Sequence, residues 1–415
     1  MFLYLSNLKR KFLSFEFFIA KRYLFSKKTR NVINIISGVS VFAVAVGAMA
    51  LIVVLSAFNG VDSLVRSLYD SFDPDIKITV KEGKTFAIDE LSLEEIKKVN
   101  GVKYCVKTLE ETAYLKYRKN ESLCTVKGVE EEFVQMTGLD SMLVEGQLTL
   151  KENGINYAVL GYGIANNLGV FIENAIEPIK VFSAKREGKY SPTNPQGAFS
   201  KKHIMPGGIF TINQDFDMKY MLVPFDFAKQ LLEYENEVSA IEIGLEKGAD
   251  EKQVKAQIAA IAGEKFKVKT RYEQNELIFK TNETEKWATY LILTFILVIA
   301  TFNVIGSLTM LIIDKKADIN ILKSMGASKA AVKNIFLVEG MLISLLGGIT
   351  GLLMGALLCW GQQVFGFVRL HNVIVDFYPV QMQPLDFLMI LATVLTIGLA
   401  ASWLPVRFVV SRHFR

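Results

Sequence analysis

Four long stretches without Asp, Glu, Lys or Arg constrain the fold of this chain more than any other feature. They lie between Arg30 and Asp62, Lys286 and Asp314, Glu339 and Arg369, and Asp386 and Arg407. A helix that crosses a bilayer needs about 20 apolar residues, and each stretch is that long. One stretch alone is compatible with a buried core helix, but four are not. We therefore predict a membrane protein with four transmembrane α-helices, at residues 31–61, 286–313, 334–362 and 385–406.

Composition and missing motifs narrow the class of function. Only 21% of the residues are charged and the net charge is +5, which does not predict nucleic-acid binding. The three Cys and three His are too few and too scattered for a disulfide-rich scaffold or for most metal sites. No G-x-x-x-x-G-K-[ST] motif occurs, so we expect no P-loop for nucleotide phosphates in this chain. The stretches contain no ionisable residue, which argues against an ion pathway. We predict no catalytic residue, no metal and no cofactor in this chain.

Basic residues set the expected orientation, because cytoplasmic segments carry an excess of Lys and Arg. Residues 1–30 hold eight Lys and Arg against Glu16 alone, and the segment 314–333 holds five Lys against two Asp. Both termini, including the tail 407–415, and the segment 314–333 are then cytoplasmic, while 62–285 and the short loop 363–384 lie outside. Within 1–30, apolar residues recur at helical spacing. That pattern predicts either an amphipathic helix on the inner membrane face or an extension of the first span.

The external segment 62–285 has the alternation of a folded α+β domain. Residues 76–108 and 239–272 each read as strand, helix, strand, and we expect them to form a membrane-near lobe from about 62–110 and 236–285. The strand-rich part between them, about 111–235, is expected to form an inserted distal lobe. Within it, 188–208 is rich in Gly, Pro, Ser and Asn, which is typical of a long loop or an extended hairpin tip. Cys105 and Cys124 lie on neighbouring predicted strands, so a disulfide and two free thiols are both open.

The spans offer two surfaces, each with two interpretations. Small residues recur on the third and first spans at positions that permit close helix packing, within the chain or between two copies: Gly347, Gly351, Gly355, Ala43 and Gly47. The outer halves of spans one and two are apolar, and face either lipid or a cavity for acyl chains: Val53, Val54, Leu55, Phe58, Trp287, Tyr290, Leu291 and Phe295.

The cytoplasmic segment 314–340 is the most informative one. Ile319, Leu322 and Met325 share a helical face. Gly326 is expected to end that helix in the left-handed conformation, and Ser328 to cap the next one. The pattern favours either a short helix rigidly joined to a span, as in a lever that another protein pushes, or a solvated loop.

Blocks along nearly the whole chain resemble one family. FIAKRYL and VLSAFNG open it, AVLGYGIANNLGV follows in the external segment, and DINILKSMGA, IFLVEG and GGITGLLMG follow later. A Tyr-Pro pair at 378–379, Pro384 and the tail LPVRFVV also fit. Together they resemble the transmembrane subunits of lipoprotein-releasing ABC transporters, the LolC/LolE family within the wider MacB and FtsX permease group.

The resemblance implies four spans, with a MacB-like periplasmic domain of Porter and Sabre lobes between the first two. It implies a second permease subunit, identical or homologous, and LolD-like cytoplasmic ATPases that bind ATP and Mg. It also implies lipoproteins as substrate, a LolA-like periplasmic carrier, and the inner membrane of a diderm bacterium. The coupling helix would use Lys316, Asp318, Ile319, Leu322, Lys323, Met325, Gly326 and Ala327. The eight apolar residues of spans one and two would meet the acyl chains, and the carrier would dock at Pro192, Pro195, Phe199 and Pro206.

Two other classes of protein share this architecture. A MacB-type export permease usually carries its ATPase on the same chain, which this sequence does not. An FtsX-like regulator, which couples an ATPase to a cell-wall hydrolase, has an external domain of roughly half this size. A sensor accessory to a signalling kinase is a further alternative. The sequence leaves open whether the role is LolC-like or LolE-like.

Overall fold

The computed structural model describes residues 15–23, 31–186, 198–370 and 375–410. The chain divides into two compact units, one of Met1–Ser63 with Lys280–Arg415 and one of Leu64–Phe279. Four helices in the described residues are long and apolar enough to cross a membrane: Ile35–Asp70, Glu276–Asp314, Lys329–Phe365 and Pro384–Val410. The predicted membrane protein with four transmembrane helices is confirmed at this level.

The elements follow in chain order. The helices are α1 (15–23), α2 (Asn31–Asp70), α3 (Leu93–Lys97), α4 (Glu132–Met136), α5 (Tyr162–Leu168), α6 (Gln214–Asp217), α7 (Phe225–Leu232), α8 (Glu251–Ala262), α9 (Arg271–Gln274), α10 (Glu276–Ala300), α11 (Phe302–Asp314), α12 (Lys316–Ser324), α13 (Lys329–Phe365) and α14 (Pro384–Pro405), which continues as a π-helix (Val406–Val410). The strands are β1 (Ile76–Val80), β2 (Phe86–Ala87), β3 (Val102–Tyr117), β4 (Asn120–Val129), β5 (Leu143–Gly146), β6 (Lys151–Glu152), β7 (Ile155–Gly161), β8 (Ile179–Ala184), β9 (Phe199–Phe210), β10 (Tyr220–Pro224), β11 (Glu237–Val238), β12 (Ala240–Leu245) and β13 (Phe266–Thr270).

The membrane-crossing helices extend beyond the bounds that the charge-free stretches predict. The first runs to Asp70 rather than 61, and the second begins at Glu276 rather than 286. Charges mark the edge of the hydrocarbon region and not the end of a helix, so a helix continues into water wherever its residues favour it. The 40 residues of α2 make a helix of about 60 Å, roughly twice the thickness of the hydrocarbon core. The third helix begins at Lys329, so Glu339 lies inside it and is fully buried, contrary to the expectation of spans without ionisable groups.

One continuous sheet organises the external unit. Its strands follow the order β13-β1-β12-β3-β4-β10-β7-β9-β5, while β8 pairs with β3 and β9, and β6 with β7. In the first four, β1 and β3 belong to the βαβ unit at 76–108, and β12 and β13 to the unit at 239–272. The two units therefore interleave as in a ferredoxin-like split βαβ arrangement. All pairings among these four strands are antiparallel.

Strand β3 crosses the expected lobe boundary at 110/111. The sequence shows two apolar runs there, 102–108 and 112–118, but they form one 16-residue strand. The residues between them, Leu109–Glu111, include no Gly or Pro that would start a turn. The two ends of the sheet nevertheless have separate cores. One gathers Ile78, Ile96 and Ile258, and another gathers Leu115, Leu160 and Leu231.

Four charged side chains lie together on adjacent strands of this sheet, Lys127 and Glu242 buried and Lys77 and Glu110 half-buried. Lys127 Nζ is 2.9 Å from Glu242 Oε1, and Lys77 Nζ is 2.9 Å from Glu110 Oε1 and 3.2 Å from Glu242 Oε1. Lys127 is also 4.7 Å from the ring centroids of Phe72 and Phe133. The buried Lys127 and Glu242 thus neutralise each other, and the half-buried Lys77 and Glu110 complete the balance of charge, which is the condition under which buried charge is tolerated.

The cysteines of this domain are free thiols. Cys124 on β4 lies opposite Ala113 of β3, eight residues along that strand from Cys105. Eight residues of strand span about 26 Å, so these two thiols are too far apart for a disulfide. Burial raises the pKa of Cys105 to about 11 and also raises the pKa of Cys124. Both thiols therefore stay protonated at neutral pH.

Candidate functional sites

The short helix α12, in the segment predicted to be cytoplasmic, is held between two long helices by defined caps. Gly326 has φ +91°, as predicted for the residue that ends this helix. The Ala327 amide donates to the Leu322 carbonyl at 2.9 Å and the Gly326 amide to the Lys323 carbonyl at 3.0 Å. This pair of bonds is a Schellman motif. Ser328 then accepts a hydrogen bond from the Ala331 amide at 3.2 Å and begins α13, also as predicted. Helices α12 and α13 are therefore joined by a short connection in which both helix ends are capped.

The exposed apolar face of α12 differs from the face that the sequence suggested. Ile319 is 1% exposed and packs in a cluster with Phe336 of α13 and Leu311 of α11. Leu322 is half-buried, while Met325 is 77% exposed and Ile321 is 59% exposed. Residues six apart on a helix point about 120° away from each other, so Ile319 and Met325 do not share a face. Ile319 anchors the helix, and Ala317, Ile321 and Met325, four residues apart, form the exposed stripe.

The other predicted coupling residues surround this stripe. Lys316, Lys323 and Gly326 are exposed, and Ala327 is half-buried. Asp318 is 3.7 Å from Lys315 Nζ. Lys315 Nζ in turn lies 5.2 Å from the ring centroid of Tyr23 on α1.

Helix α1 packs against α13 and the start of α12. Asn334 of α13 donates to the buried Glu16 carboxylate at 3.2 Å, and Tyr23 faces Phe336 with ring centroids 6.4 Å apart. Burial, with the negative fields of Asp318 and Glu339, raises the pKa of Tyr23 to about 12. Phe15, Phe17 and Phe18 are exposed on the same helix, as an amphipathic segment on a membrane surface requires.

The eight apolar residues proposed to meet acyl chains separate into two groups. Leu55 and Tyr290 belong to the core of the helix bundle, and Tyr290 Oη is 2.5 Å from Thr393 Oγ1. These two residues do not form part of an external surface. The remaining six are half-buried or exposed, with Trp287, Leu291 and Phe295 more than half exposed. The apolar surface therefore lies mainly on α10.

The glycines of α13 pack against α2 of the same chain. A Cβ on Gly347 would lie 2.8 Å from the Val41 carbonyl oxygen, and one on Gly351 or Gly355 would collide with Ala45 or Ile52. Gly47 meets Leu297 in the same way, with a Cβ only 2.6 Å from Leu297 Cδ1. Of the two interpretations of these glycines, the structure supports packing within the chain. Ala43 is half-buried.

The structure describes two of the four residues predicted to dock the carrier, and only one of these two is exposed. Pro192 and Pro195 lie outside the described residues. Phe199 is 48% exposed at the start of β9, where it pairs with Ala184 of β8. Pro206 is buried in the interior of β9 opposite Ala158, at an irregularity in the register, and not in a loop. Proline is found in strands at such irregularities because it cannot donate a ladder hydrogen bond.

A polar cluster that joins α2, α10 and α14 is a feature that the sequence alone did not predict. Asn59 of α2 donates to Asp386 Oδ2 of α14 at 2.6 Å, and accepts from Lys286 Nζ of α10 at 2.6 Å. Gly60 lies so close to the Pro379 carbonyl that no side chain fits between them. These contacts explain the Asn-Gly and Tyr-Pro motifs, because Asn59 and Gly60 connect three helices and the loop before α14. The only sign of this cluster in the sequence was the Asn-Gly motif itself, because its partners lie more than 200 residues away.

Among the described residues, no group of three or more His, Cys, Asp or Glu is placed to hold a metal ion.

Two family models match separate parts of this chain. The sequence matches the family described as MacB-like periplasmic core domain over residues 37–186, and that described as FtsX-like permease C-terminal over residues 290–414. Among solved structures, it is similar to the periplasmic region of MacB from Actinobacillus actinomycetemcomitans, with 10% identity, a TM-score of 0.35, and coverage of 52% of this chain and 97% of that one. It is also similar to the extracellular domain of the Gram-positive transporter YknZ, with 15% identity, a TM-score of 0.34, and coverage of 47% and 99%.

Curated relatives match along the whole length. The lipoprotein-releasing system transmembrane protein LolC of Neisseria meningitidis is 28% identical, over 95% of this chain and 96% of that protein. LolE of Haemophilus influenzae is 24% identical, over 94% and 95%. The chain therefore resembles a MacB-like periplasmic core domain in its first half and an FtsX-like permease C-terminal region in its last third, and its resemblance to the LolC/LolE transmembrane proteins is confirmed.

Proposed function

We propose that this chain is a permease subunit of an ABC transporter that extracts lipoproteins from the outer leaflet of the inner membrane and passes them to a periplasmic carrier. The partners are cytoplasmic ATPase subunits, which bind ATP and Mg, and a second permease subunit. The setting is the inner membrane of a diderm bacterium, with both termini of the chain in the cytoplasm.

The observation that carries the proposal is that similarity to LolC and LolE extends through the external domain as well as the permease part. A permease of another function would share the helices and the ATPase-facing segment. Such permeases would differ in the external domain, because that domain contacts a lipoprotein and its carrier in one case and a cell-wall hydrolase or an exported small molecule in the others. End-to-end similarity therefore favours lipoprotein release over an FtsX-like regulator.

Helix α12 supports the assignment of an ATP-driven machine. Ala317, Ile321 and Met325 form an apolar stripe beside the exposed Lys316 and Lys323, which suits a groove on a partner with apolar floor and acidic rim. Ile319 fixes the same helix to α11 and α13. Movement of the ATPase would thus reach two membrane-crossing helices directly.

The exposed face of α10 supports an acyl substrate. Trp287, Leu291 and Phe295 follow one another at helical spacing in the half of the helix that begins outside. Removing acyl chains from a bilayer costs about 0.8 kcal/mol per methylene. Two or three chains exceed thermal energy many times over, so release requires an engine such as an ATPase. The carrier is expected to dock near Phe199, at the β8–β9 hairpin, with Pro206 excluded because it is buried.

The test is purification of the tagged full chain in mild detergent, followed by mass spectrometry of all bound proteins. An ATPase together with triacylated lipoproteins supports the proposal. An ATPase with a cell-wall hydrolase and without lipoprotein contradicts it in favour of a regulator. Release of a labelled lipoprotein from proteoliposomes to added carrier, dependent on ATP, is the functional form of the same test.

A further inference from the structure

The chain that follows α13 turns back along this helix instead of leading away from it. Gly366 ends α13 in the left-handed conformation, with φ +58°. A Cβ on Gly361 would lie 3.1 Å from Cε2 of Phe367, so the ring of Phe367 lies beside a residue more than one turn before the end of the helix. The first residues after α13 therefore lie level with its last turn.

Gln362 fixes this reversal. Its side chain is buried, and its Oε1 accepts a hydrogen bond from the Val368 amide at 2.9 Å. Its Nε2 donates to the Val368 carbonyl at 3.1 Å and to the Tyr378 carbonyl at 3.2 Å. The Tyr378 amide donates in turn to the Val368 carbonyl at 2.9 Å. One buried amide group thus holds the backbone at Val368 against the side of the helix.

The residues held in this way present apolar side chains outward. Phe365, Phe367 and Val368 are each more than half exposed, and the centroids of the two phenylalanine rings lie 5.6 Å apart. Arg369 is also exposed, and its guanidinium carbon lies 5.7 Å from the ring centroid of Phe377. Contiguous exposed apolar side chains mark a surface that contacts a partner or a membrane, and they are not typical of a loop in water.

This surface continues the exposed apolar side of α13. Along that side, exposed apolar residues extend from Met341 through Leu357 to Trp360. A helix rises about 1.5 Å per residue, so Trp360 lies about 29 Å beyond Met341, and the hydrocarbon core of a bilayer is about 30 Å thick. Because Phe367 turns back to Gly361, it returns to the depth at which the hydrocarbon ends. Aromatic side chains are favoured at this depth.

We propose that residues 365–369 form a lipid-interface anchor, which lies in the headgroup boundary of the bilayer at the end of α13 opposite α12. Phe365, Phe367 and Val368 contact the upper part of the acyl chains. Arg369 reaches the lipid phosphates, because a long basic side chain can place its charge at the interface while its stem stays in apolar surroundings. The ligand of this surface is phospholipid, and the anchor fixes the depth of α13 whatever the transporter carries.

Depth-dependent quenching of a single tryptophan tests the anchor. The full chain, with Trp287→Phe, Trp360→Phe and Trp403→Phe, receives Phe367→Trp and is reconstituted in phosphatidylcholine vesicles. Lipid brominated in the upper part of its acyl chains should remove about half of the fluorescence, and dissolved iodide should remove little, because the side chain lies at the interface. Phe171→Trp, at a similarly exposed aromatic position of the external unit, is the matched control and should show the reverse.

Two results would overturn the inference. Iodide quenching at position 367 equal to that at position 171 would place the loop in water. Protection of position 367 from both quenchers would mean that a protein surface covers it, for example a second permease subunit.

A photoreactive side chain asks the same question of the assembled transporter in its own membrane, with all three tryptophans kept. Benzoylphenylalanine replaces Phe367, whose exposed ring leaves room for a larger one, and the membranes are illuminated before purification. A phospholipid adduct on the chain, detected by mass spectrometry, supports the anchor. A crosslink to protein without a lipid adduct contradicts it. This measurement decides the question if the chain without its natural tryptophans does not fold.

Discussion

A lysine inside a protein is tolerated only when its charge is compensated, and Lys127 shows how this fold achieves that. Its ammonium meets Glu242, which is 0% exposed, and the faces of two phenylalanine rings. Sequence patterns do not reveal such a residue, because Lys127 lies in the alternating run of β4 at a position that reads as solvent-facing. The structure buries both faces of the sheet at that point.

Replacement of Lys127 is expected to destabilise the external unit strongly. Lys127→Met leaves Glu242 buried with only Lys77 to compensate it, and removing one partner of a buried ion pair costs about 3–5 kcal/mol. The exposed Lys98→Met is the matched control and should change stability by no more than about 0.5 kcal/mol. Thermal unfolding of the purified chain, followed by protease sensitivity of the external unit, measures both. Equal midpoints for the two variants would contradict the buried cluster.

The same cluster predicts that the folded state loses stability as the pH falls. Burial alone would raise the pKa of Glu110, but the ammonium groups of Lys77 and Lys127 outweigh it and lower the pKa from 4.5 to about 2. A carboxylate whose pKa is lower in the folded state stabilises the fold above the unfolded value and loses that contribution as the pH falls.

Glu110→Gln isolates this contribution. The variant should be less stable than the wild type at neutral pH, and the difference should shrink as the pH falls from 4.5 to about 2. Burial raises the pKa of Asp73, so this group stabilises the fold as the pH falls, opposite to Glu110. The informative quantity is therefore the difference between the variant and the wild type, and not the wild-type stability curve alone. Unfolding curves across this range, with Glu82→Gln as the exposed control, measure it. A difference that stays constant with pH counts against the assignment.

At the scale of elements, the periodicity of apolar residues predicted the type and position of helices and strands well. It did not predict which face of a helix is buried and which is exposed. The two segments expected to read as strand, helix, strand do so: 76–108 contains β1, α3 and the first part of β3, and 239–272 contains β12, α8 and β13. For α12, the pattern showed an apolar face through Ile319, and the structure uses that face as an anchor. Sequence gives the spacing of apolar residues but not which neighbour covers them, so the exposed stripe became visible only with α11 and α13 in place.

The stripe on α12 gives a prediction for coupling. Ile321→Asp and Met325→Asp should each weaken retention of the ATPase about tenfold, equivalent to about 1.4 kcal/mol, while membrane insertion is preserved. Asn320→Asp adds the same charge at an exposed neighbouring position without removing apolar surface and serves as the control. Co-purification of the ATPase with each tagged variant is the measurement. If both stripe variants retain the ATPase as the control does, α12 is not the coupling helix.

Replacement of two glycines in the spans by alanine is predicted to change stability in opposite directions. In Gly351→Ala the new methyl group would collide with the Ala45 carbonyl of α2, and the resulting shift should destabilise the bundle by about 1–3 kcal/mol. Gly306→Ala meets no atom within 4 Å and should stabilise α11 by up to about 1 kcal/mol. Thermal unfolding in detergent distinguishes the two. Equal destabilisation by both would indicate that α2 and α13 do not approach closely at Gly351.

At the scale of the molecule, the order of spans and domain follows from charge and hydropathy alone, because bilayer and water select residues so differently. The internal order of the external unit does not follow, because interleaved strands leave no mark on local sequence. Asn59, Lys286 and Asp386 illustrate the same limit, since three polar residues at the ends of three stretches look like ordinary boundary residues until the helices are assembled.

The division into units predicts an autonomous fragment. Residues 64–279 contain Tyr69 and Phe72, and Phe72 is 1% exposed among the rings of Phe133, Phe210, Phe216 and Tyr220. A fragment of these residues should fold alone and unfold cooperatively. The shorter fragment 76–270 keeps every strand of the sheet but lacks Phe72. Loss of this buried ring should lower the free energy of unfolding by about 3–5 kcal/mol. Circular dichroism melts of both fragments measure it, and equal stability would contradict the role of the α2 terminus in this core.

The glycines of α13 recur every fourth residue where they meet the backbone of α2. Four residues correspond to about 6 Å along a helix. If α13 were translated by that distance, each contact made by one glycine would fall on the next, so neighbouring registers present nearly the same smooth surface. Helices that interlock through large side chains must repack to slide, whereas this pair has a track along which axial slip requires little rearrangement. A membrane bundle built this way is suited to shear between its first and third spans.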